Sequence, residues 1–212
     1  MTTVVLVHGW GYDAGLWDAV RARLPAALTA ETLDFGYFGA THAVPPAPTF
    51  AESVIAVGHS LGALWWLAQS DISWRRLLCL NGFPRFTETD AYSPAVAPRV
   101  LARMQAQFAR DPVPVLADFH ARCGGHAPSG TPDPARLAAG LDGLAHWDGR
   151  KTLAARSADV FALAGAADAI VPAAMSAMAF SGSQLECVAA PGHLLPVTHP
   201  ELCARWIERL AA

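Results

Sequence analysis

The chain has 212 residues, of which 53% are hydrophobic and 16% are charged, and its formal net charge at pH 7 is −3. High hydrophobicity with low net charge excludes a disordered chain, and the length suits one domain with one sizeable core. The 15 basic and 18 acidic residues leave no surplus of positive charge for phosphate neutralisation, so nucleic acid is not an expected partner.

The sequence also lacks the signals of membrane insertion and export. Gly, Pro and charged residues interrupt the apolar stretches before they reach the roughly 20 residues of a transmembrane helix. The first residues have neither the basic segment nor the cleavage site of a signal peptide, so we expect a cytoplasmic protein that does not bind membranes. Neither a disulfide nor a metal site is expected of the widely spaced cysteines, Cys79, Cys123, Cys187 and Cys203.

Short apolar runs alternate with segments of helical periodicity, a pattern that predicts an α/β fold with a mostly parallel sheet of about six strands. The predicted strands are residues 4–7, 32–35, 54–58, 77–80, 160–164 and 184–189. Asp13 is a candidate cap for a helix after the first strand, and the last helix is expected to follow Pro200.

The alternation stops between residues 83 and 155, where apolar positions of helical spacing follow one another without a strand. The three stripes are Val96, Val100, Met104 and Phe108, then Leu116, Phe119 and Cys123, then Leu137, Leu141 and Leu144. We therefore expect a helical lid subdomain at residues 83–155, inserted into a core formed by residues 1–82 and 156–212. Such stripes usually pack into a core, and in a lid they can also contact a ligand.

Residues 54–65 read VIAVGHSLGALW, a buried strand that runs through Gly-x-Ser-x-Gly into a helix. This context predicts that Ser60 is a nucleophile on a sharp turn, because only glycine at 58 and 62 lets the crowded chain pass on either side. The alternative is an ordinary turn serine.

A nucleophilic serine needs a base and a carboxylate that orients the base. Asp168 follows the predicted strand 160–164, and His193 follows strand 184–189, so both belong at the same edge of the sheet as Ser60. The chain order Ser, Asp, His is that of an α/β-hydrolase triad.

Each of these two partners has alternatives. Asp159 precedes its strand and belongs at the opposite edge, and His199 stands at a helix start. The sharp turn at Ser60, here called the elbow, should direct His59 away from Ser60. Solvated or packed side chains without ligand spacing are expected for the other histidines considered, His42, His120, His126 and His146.

Two backbone N–H groups are candidates for an oxyanion hole, which binds the negative oxygen of an acyl-transfer intermediate. Leu61 follows the nucleophile at a helix N-terminus, where N–H groups lack helical acceptors. Trp10 lies in a glycine-flanked loop after the first strand, and its alternative reading is a tight strand exit.

The motifs HGWG at 8–11 and GHSLG at 58–62, with Asp168 and GH at 192–193, resemble the α/β-hydrolase superfamily. Within it, LVHGWG at 6–11, Trp17 and NGFPRF at 81–86 are similar to the pimeloyl-acyl-carrier-protein methyl ester esterases of biotin synthesis. The chain departs from that pattern at His59, where the family has Trp, and at Ala63, where it has Gly. The resemblance also implies that the first two strands of the usual eight-stranded sheet are absent.

The resemblance implies a serine esterase that removes a methyl ester from an acyl chain on acyl carrier protein, without a cofactor or metal. The acyl chain is expected beneath the lid, and its candidate contacts are Trp10, Phe83, Phe86, Met104 and Phe108. The candidate contacts to the carrier protein are the lid arginines Arg99, Arg103, Arg110 and Arg122. Arg136 is a further arginine of the predicted lid. Because acidic residues are interspersed with these arginines, a solvated mixed face is the alternative.

Two other functions stay open at this point. One is a different reaction on the same three residues, such as carbon–carbon bond hydrolysis or the lyase step of menaquinone synthesis. The other is a hydrolase fold kept as a non-catalytic binding module, against which the intact serine, acid and base argue.

Overall fold

The computed structural model describes residues 2–39, 54–69 and 71–212, and within them six parallel strands form one sheet. In chain order the strands are β1 (Thr3–Val7), β2 (Thr29–Leu33), β3 (Val54–His59), β4 (Arg76–Leu80), β5 (Val160–Ala167) and β6 (Gln184–Pro191). Their order across the sheet is β2-β1-β3-β4-β5-β6. This confirms the predicted α/β class and the number of strands.

The second strand differs from its prediction, which placed it at residues 32–35. β2 begins earlier, and its exposed and half-buried residues alternate until Leu33, which is buried. Within the described part of the chain it pairs with β1 alone, as an edge strand, so it does not show the continuous apolar run of a central strand such as β3. A prediction based on buried apolar runs therefore places β2 too late in the chain.

Helices cover both faces of the sheet, in agreement with the predicted class. The helices of the described residues are α1 (Asp18–Arg21), α2 (Leu61–Ala68), α3 (Pro98–Arg110), α4 (Pro112–Cys123), α5 (Pro134–His146), α6 (Arg150–Ala155), α7 (Ala173–Ala179), α8 (Leu195–Thr198) and α9 (Pro200–Ala211). Asp13 caps a short 3₁₀ turn (Ala14–Trp17) before α1, where its side chain accepts a hydrogen bond from Gly15 N–H.

Helices α3 to α6 lie between β4 and β5 in the chain, in the region predicted to be helical. Proline in the first turn and an aspartate cap start two of them: Asp111 accepts from Val113 N–H before α4, and Asp133 accepts from Ala135 N–H before α5. Because capping satisfies backbone donors that a helix leaves unpaired, these two sequence signals fix where α4 and α5 begin.

The first predicted stripe of this region is partly wrong. Val96 precedes α3, and Val100 is 52% exposed, whereas Leu101 and Phe108 are buried. A spacing of four residues drifts around a helix that has 3.6 residues per turn, so the buried face follows 101, 104 and 108 instead.

The carboxyl ends of the four middle strands lie level with one another. Val7 at the end of β1 is opposite Gly58 of β3, and Leu80 at the end of β4 is opposite both His59 of β3 and Leu163 of β5. The strand order reverses at β1, which has β2 on one side and β3 on the other, and such switch points open a crevice at the carboxyl edge. Of the helices described, none has the length and apolar character to cross a bilayer.

Candidate active site

Ser60 occupies a strained turn between β3 and α2. Its φ of 53° and ψ of −118° lie in a region that residues with a Cβ rarely adopt. The turn is tight because a Cβ on Gly58 would overlap the backbone of Ala63, and one on Gly62 would overlap the carbonyl of Val7. The turn thus projects Ser60 from the carboxyl edge of the sheet, next to the loop that follows β1.

Asp168 and His193 lie in the loops after β5 and β6, and they are hydrogen-bonded to each other. The Nδ1–H of His193 donates to Asp168 Oδ2 at 2.7 Å, and both side chains are fully buried. Asp168 Oδ1 accepts the backbone N–H groups of Ile170 and Val171 at 2.7 and 2.9 Å. Burial alone would raise the pKa of Asp168, but the proximity of His193 and these hydrogen bonds hold it below its usual value. Asp168 is therefore ionised at neutral pH.

Asn81 is a member of this cluster that the sequence reasoning missed. Its Nδ2 donates to Asp168 Oδ2 at 2.7 Å, and its Oδ1 has no partner among the described residues. Asn81 is buried and has a positive φ of 48° directly after β4. The sequence does contain a signal for this role. Asn is a polar residue that tolerates a positive φ, and Asn81 directly follows β4, which ends level with β3 and β5.

The second nitrogen of His193 is available for proton transfer. Because Nδ1 carries the proton shared with Asp168, Nε2 holds a lone pair, and it has no hydrogen-bond partner among the described residues. The hydrogen bond between Ser60 and His193 is therefore not formed in this structure. Catalytic hydrogen bonds are often long in unliganded enzymes and shorten when the substrate binds.

His59, the residue before Ser60, is turned toward His193 rather than toward the serine hydroxyl. Its Nε2–H donates to the backbone carbonyl of His193 at 2.8 Å, and the two rings lie 4.9 Å apart. Burial, with a smaller contribution from His193, lowers the pKa of His59 to about 3. His59 is thus neutral at working pH, and its ring packs beside His193.

The loop after β1 passes directly against the elbow. A Cβ on Gly9 would lie 2.9 Å from Ser60 Cβ and 2.8 Å from His59 Nδ1, so only glycine allows this approach. Trp10 follows in the loop, and its backbone N–H donates to no backbone carbonyl of the described residues. Leu61 is the first residue of α2, where the N–H has no acceptor within the helix. Leu61 thus directly follows Ser60 in the chain, and Trp10 follows Gly9, the residue at which the loop after β1 approaches Ser60.

Asp34 fixes the base of this loop and was also missed from the sequence. Its carboxylate accepts the N–H groups of Ala14 and Gly36 at 2.8 and 2.7 Å and lies 3.1 Å from His8 Nε2. Burial would raise the pKa of Asp34, but His8 and the two backbone donors lower it to about 2.

A small apolar cavity of about 70 Å³ adjoins Ser60. Its walls are Trp10, Ser60, Phe86, Val96, Val100, Leu101, Met104, Phe119, Arg122, Leu144 and Ile170. The predicted contacts Trp10, Phe86 and Met104 are among them. Phe83 and Phe108 are not: the ring centroid of Phe83 lies 5.0 Å from that of Phe86, and the ring centroid of Phe108 lies 5.9 Å from that of Trp10.

A larger cleft of about 880 Å³ lies between α3 and α4, and the four predicted arginines line it: Arg99, Arg103, Arg110 and Arg122. None of the four forms a salt bridge with a carboxylate of the described residues. Arg122 also lines the cavity at Ser60, so the two spaces adjoin. Arg136 lies apart, beside Asp133 and the carbonyl of Phe35.

The alternative acids and bases lie elsewhere. Asp159 pairs with Arg156 at 3.1 Å before β5, and His199 precedes α9. His146 bonds within α5, and His42 is outside the described residues. The expectation for His120 was incomplete, because this buried side chain donates from Nε2 to the carbonyl of Gly11 at 2.7 Å.

Comparison with known proteins agrees with this arrangement, although no protein-family model matches the chain. The solved structures that share the fold include an esterase from Exiguobacterium antarcticum, with a TM-score of 0.78, 18% identity and coverage of 100% of this chain and 92% of that one. A thermophilic esterase from Thermogutta terrifontis has a TM-score of 0.74 and 22% identity over 100% of this chain and 91% of that one. These likenesses establish the α/β-hydrolase fold.

Curated sequences identify the family. The pimeloyl-[acyl-carrier protein] methyl ester esterase of Aromatoleum aromaticum is 30% identical over 97% of this chain and 96% of its own length. The esterase of the same name from Yersinia enterocolitica is 30% identical over 93% of this chain and 88% of its own length. The chain belongs to the pimeloyl-[acyl-carrier protein] methyl ester esterase family of α/β-hydrolases.

Proposed function

We propose that this carboxylic ester hydrolase is a serine esterase that removes the methyl ester from a pimeloyl chain carried by acyl carrier protein, a step of biotin synthesis. The relatives are named for this reaction. The observation that carries the serine mechanism is the buried His193–Asp168 pair at the same sheet edge as the strained Ser60, in which His193 Nε2 has no hydrogen-bond partner among the described residues. Substrate binding must bring that nitrogen and the serine hydroxyl into contact.

The reaction proceeds in two halves. Ser60 Oγ attacks the ester carbonyl carbon while His193 Nε2 takes the hydroxyl proton. The carbonyl oxygen becomes negative and is held by the N–H groups of Trp10 and Leu61. The tetrahedral intermediate then collapses, the bond to the methoxy oxygen breaks, and His193 returns the proton so that methanol leaves.

Water completes the cycle. It attacks the acyl group on Ser60 and gives its proton to His193, and collapse of the second tetrahedral intermediate releases the free carboxylate as His193 reprotonates the serine oxygen. Asp168 remains ionised throughout and stabilises the imidazolium that forms twice per turnover. Its hydrogen bond to His193 Nδ1 and its lowered pKa support this role.

The shape and charge of the two adjoining spaces support a carrier-bound acyl chain. The cavity beside Ser60 is apolar, which suits alkyl carbons. The cleft beyond it has four arginines that are not paired with described carboxylates, which suits the phosphate of a prosthetic arm and the acidic surface of a carrier. An alkyl chain that starts at Ser60 and leaves past Arg122 passes from the first environment to the second.

The test compares pimeloyl methyl ester on acyl carrier protein with the free methyl ester, with Ser60→Ala as the blank. We expect a higher kcat/KM for the carrier-bound ester, and no turnover of either ester by the blank. Equal values for the two esters would contradict carrier recognition, and an active blank would contradict the serine mechanism.

The arginine cleft is tested with the double variant Arg99→Ala/Arg103→Ala. Its kcat/KM should fall about tenfold or more on the carrier-bound ester and stay within twofold on the free ester, because surface charge acts chiefly on association. Arg209→Ala is the matched control, since this exposed arginine lies on α9, away from the cleft.

A fluorophosphonate probe separates the remaining alternatives. Labelling that disappears in Ser60→Ala supports a nucleophilic serine, whereas folded wild-type protein that is not labelled supports a binding module. Labelling without ester turnover, together with activity on a diketone or a cyclohexadiene, supports a different reaction on the same residues.

A further inference from the structure

The lid helix α4 contacts three loops at the carboxyl edge of the sheet: those after β1, β5 and β6. His120 donates from Nε2 to the Gly11 carbonyl of the loop after β1 at 2.7 Å. Arg122 donates to the carbonyl of Ala169 at 3.1 Å, beside Asp168. At the third loop, a Cβ on Gly192 would lie 3.2 Å from the carbonyl of Cys123, so the end of α4 packs next to His193.

The contacts at the loop after β1 are the most extensive. Gly11 has a left-handed φ of +73°, and a Cβ there would lie 3.2 Å from the ring of Phe119. Phe119 also packs against Trp10, with the two ring planes nearly perpendicular and their centroids 4.8 Å apart. On the other side, the indole N–H of Trp10 donates to the carbonyl of Leu137 in α5 at 2.7 Å. The loop is thus fixed from outside the sheet by two helices of the lid.

We propose that His120 is a positioning residue for the oxyanion hole: through its hydrogen bond to Gly11 it holds the Trp10 N–H in the place where the reacting carbonyl oxygen becomes negative. The proposal rests on the proposed serine mechanism and adds a role for the lid in it. Neither the motifs nor the expected triad assigns His120 any part in the reaction.

The hydrogen bond explains features that packing alone leaves without a reason. His120 is 7% exposed, so a polar side chain there is costly unless it is paired, and its donor is used on a carbonyl one residue beyond Trp10. An oxyanion donor works only within about 2.7–3.1 Å of the developing charge. A loop whose Gly11 carbonyl has lost its partner can shift by more than this tolerance, and misplacement of about 1 Å can cost about a hundredfold in rate.

A consequence is that the lid takes part in transition-state stabilisation. When α4 and α5 are docked, Gly11 and the Trp10 indole are both held. A displacement of these two helices from the loop would break both contacts. The site is therefore complete only with the lid in place, which favours reaction after the acyl chain has been enclosed.

A pair of variants that differ by one methylene tests the proposal. The amide nitrogen of Gln is as many bonds from Cβ as Nε2 of His, so His120→Gln keeps a donor within reach of Gly11. The amide nitrogen of Asn is one bond nearer, so His120→Asn leaves that carbonyl unpartnered. His146→Leu is the control for loss of a lid histidine, because His146 is exposed and bonds to Asp142 within its own helix.

We expect His120→Asn to lower kcat about tenfold with KM within twofold, and His120→Gln to stay within threefold of wild type; loss of a whole oxyanion donor costs more, about 10²–10³. A trifluoromethyl ketone, which forms a negatively charged hemiketal on Ser60, should bind the Asn variant weaker by the same factor as kcat falls. The matched methyl ketone, which stays uncharged, should bind within twofold of wild type.

Several outcomes would overturn the role of His120. They are an unchanged kcat in His120→Asn, an equal weakening of both ketones, or a tenfold loss in a folded His120→Gln. If His120→Asn does not fold, the Gln variant decides alone. Absence of fluorophosphonate labelling in wild type would instead refute the serine mechanism, so the two failures are distinguishable.

Discussion

Replacement of Asp168 by Asn tests whether this side chain fixes the tautomer of His193. The carboxylate accepts four hydrogen bonds: Oδ1 from the N–H groups of Ile170 and Val171, and Oδ2 from His193 Nδ1 and Asn81 Nδ2. An Asn side chain has a single oxygen, so its NH₂ group must face one of these two pairs of donors.

The two orientations of the new amide differ in cost. If the NH₂ group faces Ile170 and Val171, two buried backbone N–H groups lose their acceptor, at about 1–3 kcal/mol each. If it faces the other pair, Asn81 can rotate so that its Oδ1, which has no partner among the described residues of the wild type, accepts a hydrogen bond from the new amide. His193 then accepts the second amide hydrogen at an unprotonated Nδ1. The second orientation is favoured, and it moves the imidazole proton to Nε2, the atom that must accept from Ser60.

To react, the variant must return to the costly orientation, which adds about 2–6 kcal/mol to the barrier. At about 1.4 kcal/mol per factor of ten, kcat should fall between about 30-fold and about 20,000-fold, with little change in KM. In the favoured orientation the new amide and its neighbours keep their hydrogen bonds, so we expect Tm to fall by no more than a few degrees. Steady-state ester hydrolysis and a thermal melt check both values.

Two results would refute this reasoning. A folded Asp168→Asn variant with kcat within threefold of wild type would show that the carboxylate does not set the tautomer. A collapse of Tm would show that Asn81 does not rotate to accept the new amide.

Three further predictions concern the elbow and its supports. Gly62→Ala should prevent folding to the active form, because its Cβ would overlap the carbonyl of Val7; soluble protein labelled by fluorophosphonate at the wild-type rate would contradict this. Asp34→Asn should cost about 2 kcal/mol at pH 7, since the pKa of the carboxyl is lowered from 3.8 to about 2. That contribution is present above about pH 4 and lost as the pH falls toward 2, so urea melts of variant and wild type should converge there. Asn81→Leu removes one donor from Asp168 and should lower kcat with little change in KM; an unchanged kcat would exclude a positioning role.

The fold and the candidate triad could be predicted because their signals are local. A strand, two glycines and a helix around Ser60 indicate a single type of turn, and parallel strands bring Asp168 and His193 to one edge. The edge strand β2 was misplaced because it shows no buried apolar run.

The supporting contacts could not be predicted because they join distant parts of the chain. His120 and Gly11 are 109 positions apart, and Asn81 and Asp168 are 87 apart. No periodicity in either segment indicates the other partner. Phe108 was expected at the substrate for a similar reason, since an apolar stripe shows which helix face is buried but not whether a ligand or Trp10 covers it.

The arginine cleft has a consequence for how a partner approaches. Two aspartates, Asp111 and Asp118, share the cleft with four arginines, so this face is cationic although the whole chain carries −3. The remainder of the surface therefore holds the excess of negative charge, and the molecule is electrostatically polar. We therefore expect an acidic protein to approach this face in preference to the remainder of the surface, and added salt to weaken that preference.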